Sequence, residues 1–155
     1  MFDKKLSNEI NYRVSILKQI DIIAINKIST LIKKSLEKNK KILFWGNGGS
    51  SAQSQHFVTE LMVRYKRKRR PLPAIAMTTD TSILTAHGND FSFDTIFNNQ
   101  INSLGVKGDI LVAFSTSGKS KNVINAIKIG KSKGLNVIGF TGMKKNNFFS
   151  KNCNV

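Results

Sequence analysis

The sequence predicts an α/β fold: a doubly wound parallel sheet with helices ahead of it. Three observations carry this. Four short apolar runs, 42–45, 74–77, 109–114 and 136–141, alternate with segments whose apolar residues recur at helical spacing. The run 109–114 (DILVAF) hardly alternates, which suits a strand buried on both faces. Two of the runs end in turns rich in glycine and hydroxyl groups, each followed by a helical pattern. Alternating strands and helices close into a parallel sheet through right-handed crossovers.

Residues 5–38 read as helix. Leu6, Ile10, Val14 and Leu17 form one stripe, and Ile25, Ile28, Ile32 and Leu36 a second. Asp21, between them, is placed to cap a second helix. These helices precede the first strand, so they are expected outside the sheet. Their apolar stripes suit either a subunit interface or core packing.

The first strand, 42–45, runs into Gly46-Asn47-Gly48-Gly49-Ser50-Ser51. A helix then carries Phe57, Leu61 and Tyr65 at intervals of four. Pro71-Leu72-Pro73 breaks that pattern before the second strand, 74–77. A polar turn, 78–82, offers several N-caps. A short helix over 83–87 is expected to end at Gly88-Asn89-Asp90, and another is expected over 94–104. The third strand, 109–114, leads into Ser115-Thr116-Ser117-Gly118-Lys119-Ser120. The next helix spans about 121–133, closed by Gly134. The fourth strand is 136–141. The segment 144–152 is polar apart from Phe148-Phe149, and Cys153-Asn154-Val155 resembles the opening of a fifth strand. The chain divides into a helical segment, 1–38, assigned to an oligomer interface, and a sheet domain, 39–155, within one domain overall.

Composition narrows the function classes. A lone cysteine, Cys153, rules out an internal disulfide and fits a reducing compartment. The N-terminus has no signal-peptide core, and no apolar run is long enough to span a membrane. The expected location is the cytoplasm, without a membrane partner. The formal net charge is +16, but the cations are mostly dispersed, which favours a solvated basic surface over a nucleic-acid site. One cluster stands out: Arg64, Lys66, Arg67, Lys68, Arg69 and Arg70. At the end of a helix such cations oppose the negative dipole end, and a polyanion patch is the alternative.

The two turns are where chemistry is expected, since ligands of doubly wound sheets sit at the carboxyl ends of the strands. Glycines let backbone approach an anion, and free N–H groups of a first helical turn point at it. The hydroxyls of Ser115, Thr116, Ser117 and Ser120 can donate to phosphate oxygens, and Lys119 adds charge. Either turn alone is often only a turn; together they point to a phosphorylated ligand. Neither fits a nucleotide signature: the first has Ser51 where a dinucleotide loop has its third glycine, and the second lacks the upstream glycine of a Walker loop. His56 and Glu60, four apart, share a helix face. Such a pair is commonly a surface pair, and two residues do not complete a metal site. A carboxylate beside a sugar carbon is what a general base requires. His87, before Gly88, reads as a structural or capping residue.

Three segments, GNGGSSAQSQHFVTEL, RPLPAIAMTTDTSILTAHGNDF and ILVAFSTSGKSKNVINAI, together resemble the SIS-domain phosphosugar isomerases, with a flavodoxin-like sheet, and among them the phosphoheptose isomerases. The resemblance implies isomerisation of sedoheptulose 7-phosphate to D-glycero-D-manno-heptose 7-phosphate, an early step towards heptose in bacterial lipopolysaccharide or capsule. By the matching motifs, Asn47, Gly48, Gly49, Glu60, Asn89 and Asp90 line the substrate. Ser115, Thr116, Ser117 and Ser120 hold its phosphate. Glu60 is the acid/base that moves a proton between C1 and C2 through an enediol. In zinc-binding members His56 and Glu60 match two of the ligands. The family is typically a homotetramer with active sites at subunit interfaces. It also carries a Gln and a His in a helix after a fifth strand. Neither is found here, so the chain is expected to lack the last strand and helix and to be a weak catalyst alone. A non-catalytic relative that binds the bacterial replication initiator shares these motifs and is the second reading. A sugar-sensing domain of a transcription regulator is the third; residues 1–40 lack the helix-turn-helix it needs.

Overall fold

The computed structural model describes residues 2–142 and 148–155. Part of the stretch read as a polar segment, 144–152, therefore lies outside the described residues. In chain order the elements are α1 (Phe2–Lys18), α2 (Ile22–Glu37), β1 (Ile42–Gly46), α3 (Gly49–Met62), β2 (Ala74–Ala76), α4 (Thr81–Asp90), a 3₁₀ turn (Phe93–Thr95), α5 (Asn98–Leu104), β3 (Ile110–Ser115), α6 (Lys121–Ser132), β4 (Asn136–Thr141) and α7 (Phe148–Asn152). All four strands pair in parallel, in the order β2-β1-β3-β4. The expected doubly wound sheet is thus observed. Because β2 lies on one side of β1 and β3 on the other, the chain reverses its winding at β1/β3, the switch point that opens a crevice in such sheets.

Strand residues alternate between two cores. Leu43, Trp45, Leu111, Ala113 and Val137 face one side with Phe97, Ile101, Val123 and Ile127. Ile42, Phe44, Ile110, Val112 and Ile138 face the other, against Val58 and Leu61 of α3 and Ile28, Leu31, Ile32 and Leu36 of α2. Ile28, Ile32 and Leu36 of the second apolar stripe are therefore core packing, while Ile25 at its start is exposed. The first stripe is not: Leu6, Ile10, Val14 and Leu17 on α1 are all exposed. Asp21 caps α2, its Oδ1 accepting from Ala24 N–H at 3.0 Å. Asp21→Ala is expected to cost about 1 kcal/mol, read as a lower urea midpoint with an unchanged slope.

Three local expectations need correction. Helix α3 ends at Met62, so Tyr65 is not on it, and the cations from Arg64 to Arg70 follow the helix rather than forming its last turn. Extending the helix through them would stack like charges three and four residues apart. One of them still reaches back: the Arg69 guanidinium donates to the carbonyls of Glu60 and Leu61, closing the α3 C-terminus from outside. Helix α4 runs through Gly88, Asn89 and Asp90 instead of stopping there, started by Asp80 accepting from Ile83 N–H. A helical glycine costs about 1 kcal/mol, which a capped helix with His87 buried against the body tolerates. The helix expected over 94–104 divides into the 3₁₀ turn and α5, because Ser92 Oγ takes Asp94 N–H and starts a tighter turn.

At the far edge, Asn154 N–H donates to the Val137 carbonyl and Gly139 N–H to that of Val155. The last residues lie along β4, as a strand beginning there would. Burial pushes the Cys153 thiol up to about 11. Asp109 ties the feet of β1 and β3 together: Oδ1 accepts from Lys41 N–H at 3.1 Å, and Oδ2 from Lys41 Nζ at 2.6 Å and Val106 N–H at 3.0 Å.

Candidate active site

Both turns singled out in the sequence stand at the carboxyl rim of the sheet, at the ends of the neighbouring strands β1 and β3. Gly46 is required by packing: a Cβ there would sit 2.6 Å from Ser50 Cβ and 2.9 Å from the Phe114 carbonyl oxygen. Gly48 is required by conformation, with φ +54° and ψ −121° at the N-cap of α3. The N–H groups of Ser50 and Ser51 turn inward to the carbonyls of Asn47 and Gly48, both at 2.9 Å. The first turn of α3 therefore offers an anion fewer backbone donors than its sequence suggests, and side-chain hydroxyls carry more of that role. Gly46→Ala is expected to push this turn off the strand and cost about 1–3 kcal/mol by overpacking. The loss is read as a drop in unfolding midpoint.

In the second turn, Ser115 is buried and its Oγ donates to Ser120 Oγ at 3.2 Å. Ser117 Oγ accepts from Lys119 N–H at 3.2 Å, folding the turn over Gly118. Thr116 and Ser117 are exposed at the rim. The turns border two cavities. One, of about 440 Å³, is lined by Gly46, Asn47, Gly48 and Ser51 with Thr78, Thr85, Gly88 and the apolar Phe93, Ile96 and Phe97. The other, of about 260 Å³, is lined by Ser50, Phe114, Ser115, Thr116, Phe140, Thr141 and Gly142. Phe97, which lines the first cavity, belongs to one core, and Phe114, which lines the second, to the other.

Of the residues expected at the site, Asn47, Gly48, Ser115 and Thr116 line these cavities. Gly49, Ser117 and Ser120 stand in the same turns without lining either. Asn89 and Asp90 lie at the end of α4, hydrogen-bonded to each other at 2.9 Å and exposed; Gly88 beside them lines the larger cavity. Thr78 and Thr85 are cavity residues that the sequence reading did not single out. Thr78 follows β2 at its carboxyl end, so the rule that selected the other two turns also reaches it. His87 is structural: it is buried, its Nε2 lies 2.9 Å from Thr95 Oγ1, and its ring packs on Phe91.

His56 and Glu60 sit apart from both cavities, further along α3. Glu60 is 11 residues past Gly49, about 17 Å along the helix axis. His56 Nε2 is 3.2 Å from Glu60 Oε1, with the His56 side chain largely exposed. Glu60 Oε2 is buried and, among the described residues, has no hydrogen-bond partner. As a metal site the pair is incomplete. Among the described residues no three His, Cys, Asp or Glu side chains come together, and catalytic zinc takes three protein ligands.

Comparison with known proteins assigns the architecture. The SIS domain family profile matches residues 8–142. The chain is 54% identical over 112 residues to the phosphoheptose isomerase of Campylobacter concisus, covering 72% of this chain and 59% of that one. It is 50% identical over 115 residues to the phosphoheptose isomerase of Aquifex aeolicus, covering 74% and 60%. The solved phosphoheptose isomerase of Neisseria gonorrhoeae superposes with a TM-score of 0.83 at 37% identity, over 91% of this chain and 75% of that one. The chain spans about three-fifths of the length of the curated relatives it matches. The profile match over most of the chain, together with a solved relative matched over three-quarters of its length, shows that this chain belongs to the SIS-domain family, among the phosphoheptose isomerases.

Proposed function

We propose that the protein isomerises sedoheptulose 7-phosphate to D-glycero-D-manno-heptose 7-phosphate. The observation that carries the reading is the pair of turns at the switch point, one lined by Asn47 and Gly48 and one by Ser115 and Thr116, in a chain similar to phosphoheptose isomerases. The hydroxyl turn holds the phosphate, with Ser117 and Ser120 shaping it. Asn47, Gly48, Gly49, Asn89 and Asp90 meet the sugar.

Glu60 moves the proton. Its carboxylate takes a hydrogen from C1 of the ketose as a proton while O2 gains one, leaving a 1,2-enediol. Return of a proton to C2, with O1 losing its proton, completes the aldose. Glu60 lines neither cavity of its own chain and is assigned to a sugar held by another copy, in a homotetramer whose exposed α1 stripe forms part of the contact. His56 and Glu60 are the two donors this chain contributes to a zinc ion, the others coming from outside the described residues. The product feeds heptose for lipopolysaccharide or capsule in the cytoplasm. The relatives compared are named as isomerases, and the initiator-binding reading gains no support from them.

The test is to incubate the full-length protein with sedoheptulose 7-phosphate in D₂O and follow the sugar by NMR. Appearance of the aldose carrying deuterium at C2 is the expected result. A protein that is folded and oligomeric yet leaves the ketose unchanged would remove the proposal.

A further inference from the structure

Asn47 does not stand alone in its turn. Its Nδ2 donates to Asn122 Oδ1 at 2.9 Å, and Asn122 Nδ2 donates back to Asn47 Oδ1, also at 2.9 Å. Asn122 is the second residue of α6 and is 2% exposed. The clasp therefore runs from the turn after β1 to the helix after β3, across the switch point. Among the described residues no other side-chain hydrogen bond joins 46–51 to 115–122.

We propose that Asn122 is a positioning residue for the sugar-binding amide of Asn47; the inference rests on the reading of Asn47 given above. A primary amide has two N–H donors and a carbonyl oxygen with two lone pairs. The clasp uses one of each on Asn47 and leaves one of each. With two directional bonds holding the amide plane, the remaining N–H and lone pair have fixed directions, and Asn47 is one of the residues lining the cavity. Asn122 is too buried to meet a ligand itself. Stability alone does not explain the pair: two amides satisfied by each other, one buried and one half-buried, contribute little over an apolar pair of the same shape. What an apolar pair lacks is orientation. The position also suits the task, because α3 and α6 pack in different cores and Gly48 holds the intervening backbone in a strained turn. A pair that bridges the two turns sets their separation, and with it the distance between the sugar and phosphate grips.

The test is a double-mutant cycle on the full-length protein, reading kcat and KM for sedoheptulose 7-phosphate in the wild type, Asn47→Ala, Asn122→Ala and the double variant, with thermal unfolding alongside. Asn122→Ala is expected to lower kcat/KM about tenfold. The double variant is expected to fall within about twofold of Asn47→Ala, because residues acting through one contact are not additive. A full further tenfold loss on the Asn47→Ala background, or no loss from Asn122→Ala in the wild type, would overturn the proposal. If Asn122→Ala does not fold, Asn122→Ser takes its place with the same criteria. Additivity in an active enzyme defeats this inference alone; a wild type that neither turns over nor binds the sugar phosphate defeats the functional reading and this inference with it.

Discussion

Glu60→Gln is expected to lower kcat for heptose-phosphate isomerisation by about 10²- to 10⁴-fold, the usual loss when a positioned acid/base is removed. Its value as a test lies in what it leaves untouched. Glutamine keeps the length and shape of the side chain but takes up no proton from carbon. The contact with His56 is largely solvent-exposed on the His56 side, of the kind worth a few tenths of a kcal/mol. Glu60 Oε2 is buried and, among the described residues, unpartnered, and a neutral amide is less costly to hold there than a carboxylate oxygen. The unfolding midpoint should therefore hold or rise while turnover collapses. Steady-state assay and a thermal melt on the same preparation separate the two. Undiminished turnover would remove Glu60 from the mechanism; lost turnover with a collapsed melt would make the residue structural.

Asp109→Ala is expected to be strongly destabilising, costing about 3–5 kcal/mol. Asp109 is 1% exposed and satisfies three donors: Lys41 N–H, Lys41 Nζ and Val106 N–H. Its removal leaves two backbone N–H groups and an ammonium, itself only 25% exposed, without their acceptor. Against the roughly 5–15 kcal/mol typical of a domain, about a fifth or more of the stability is at stake. Urea denaturation gives the answer directly. Asp109→Asn keeps the shape and one acceptor and is expected to lose less. A midpoint within about 0.5 kcal/mol of wild type for Asp109→Ala would show that water replaces the carboxylate freely. The same carboxylate aligns the feet of β1 and β3, so the loss should also loosen the turns at their far ends.

Much of this protein was legible before any coordinates. The uninterrupted apolar run of β3 marks a strand covered on both faces, and β3 does lie between β1 and β4 with helices on either side. Asp21 reads as a cap and is one. Asn47, Gly48, Ser115 and Thr116 reach the rim because a turn after a parallel strand has nowhere else to go. The end of α3 was less legible, since the cations after Met62 suit a last turn by charge and oppose one by mutual repulsion. Their arrangement was settled by Arg69 folding back onto two carbonyls.

The alternation of elements, the parallel sheet and the turns that carry polar groups at its rim could all be read from the chain alone. Each follows from residue spacing and from turn chemistry acting over a few neighbours. Tertiary packing settled that the two turns border separate cavities, that Asn122 clasps Asn47 from 75 residues away, and that Glu60 lines neither cavity and keeps one oxygen buried and, among the described residues, unpaired. Those facts depend on which side of β1 each later strand joins and how far a helix carries a side chain from its first turn. Such distances are set by the packing of whole elements, and no local pattern encodes them.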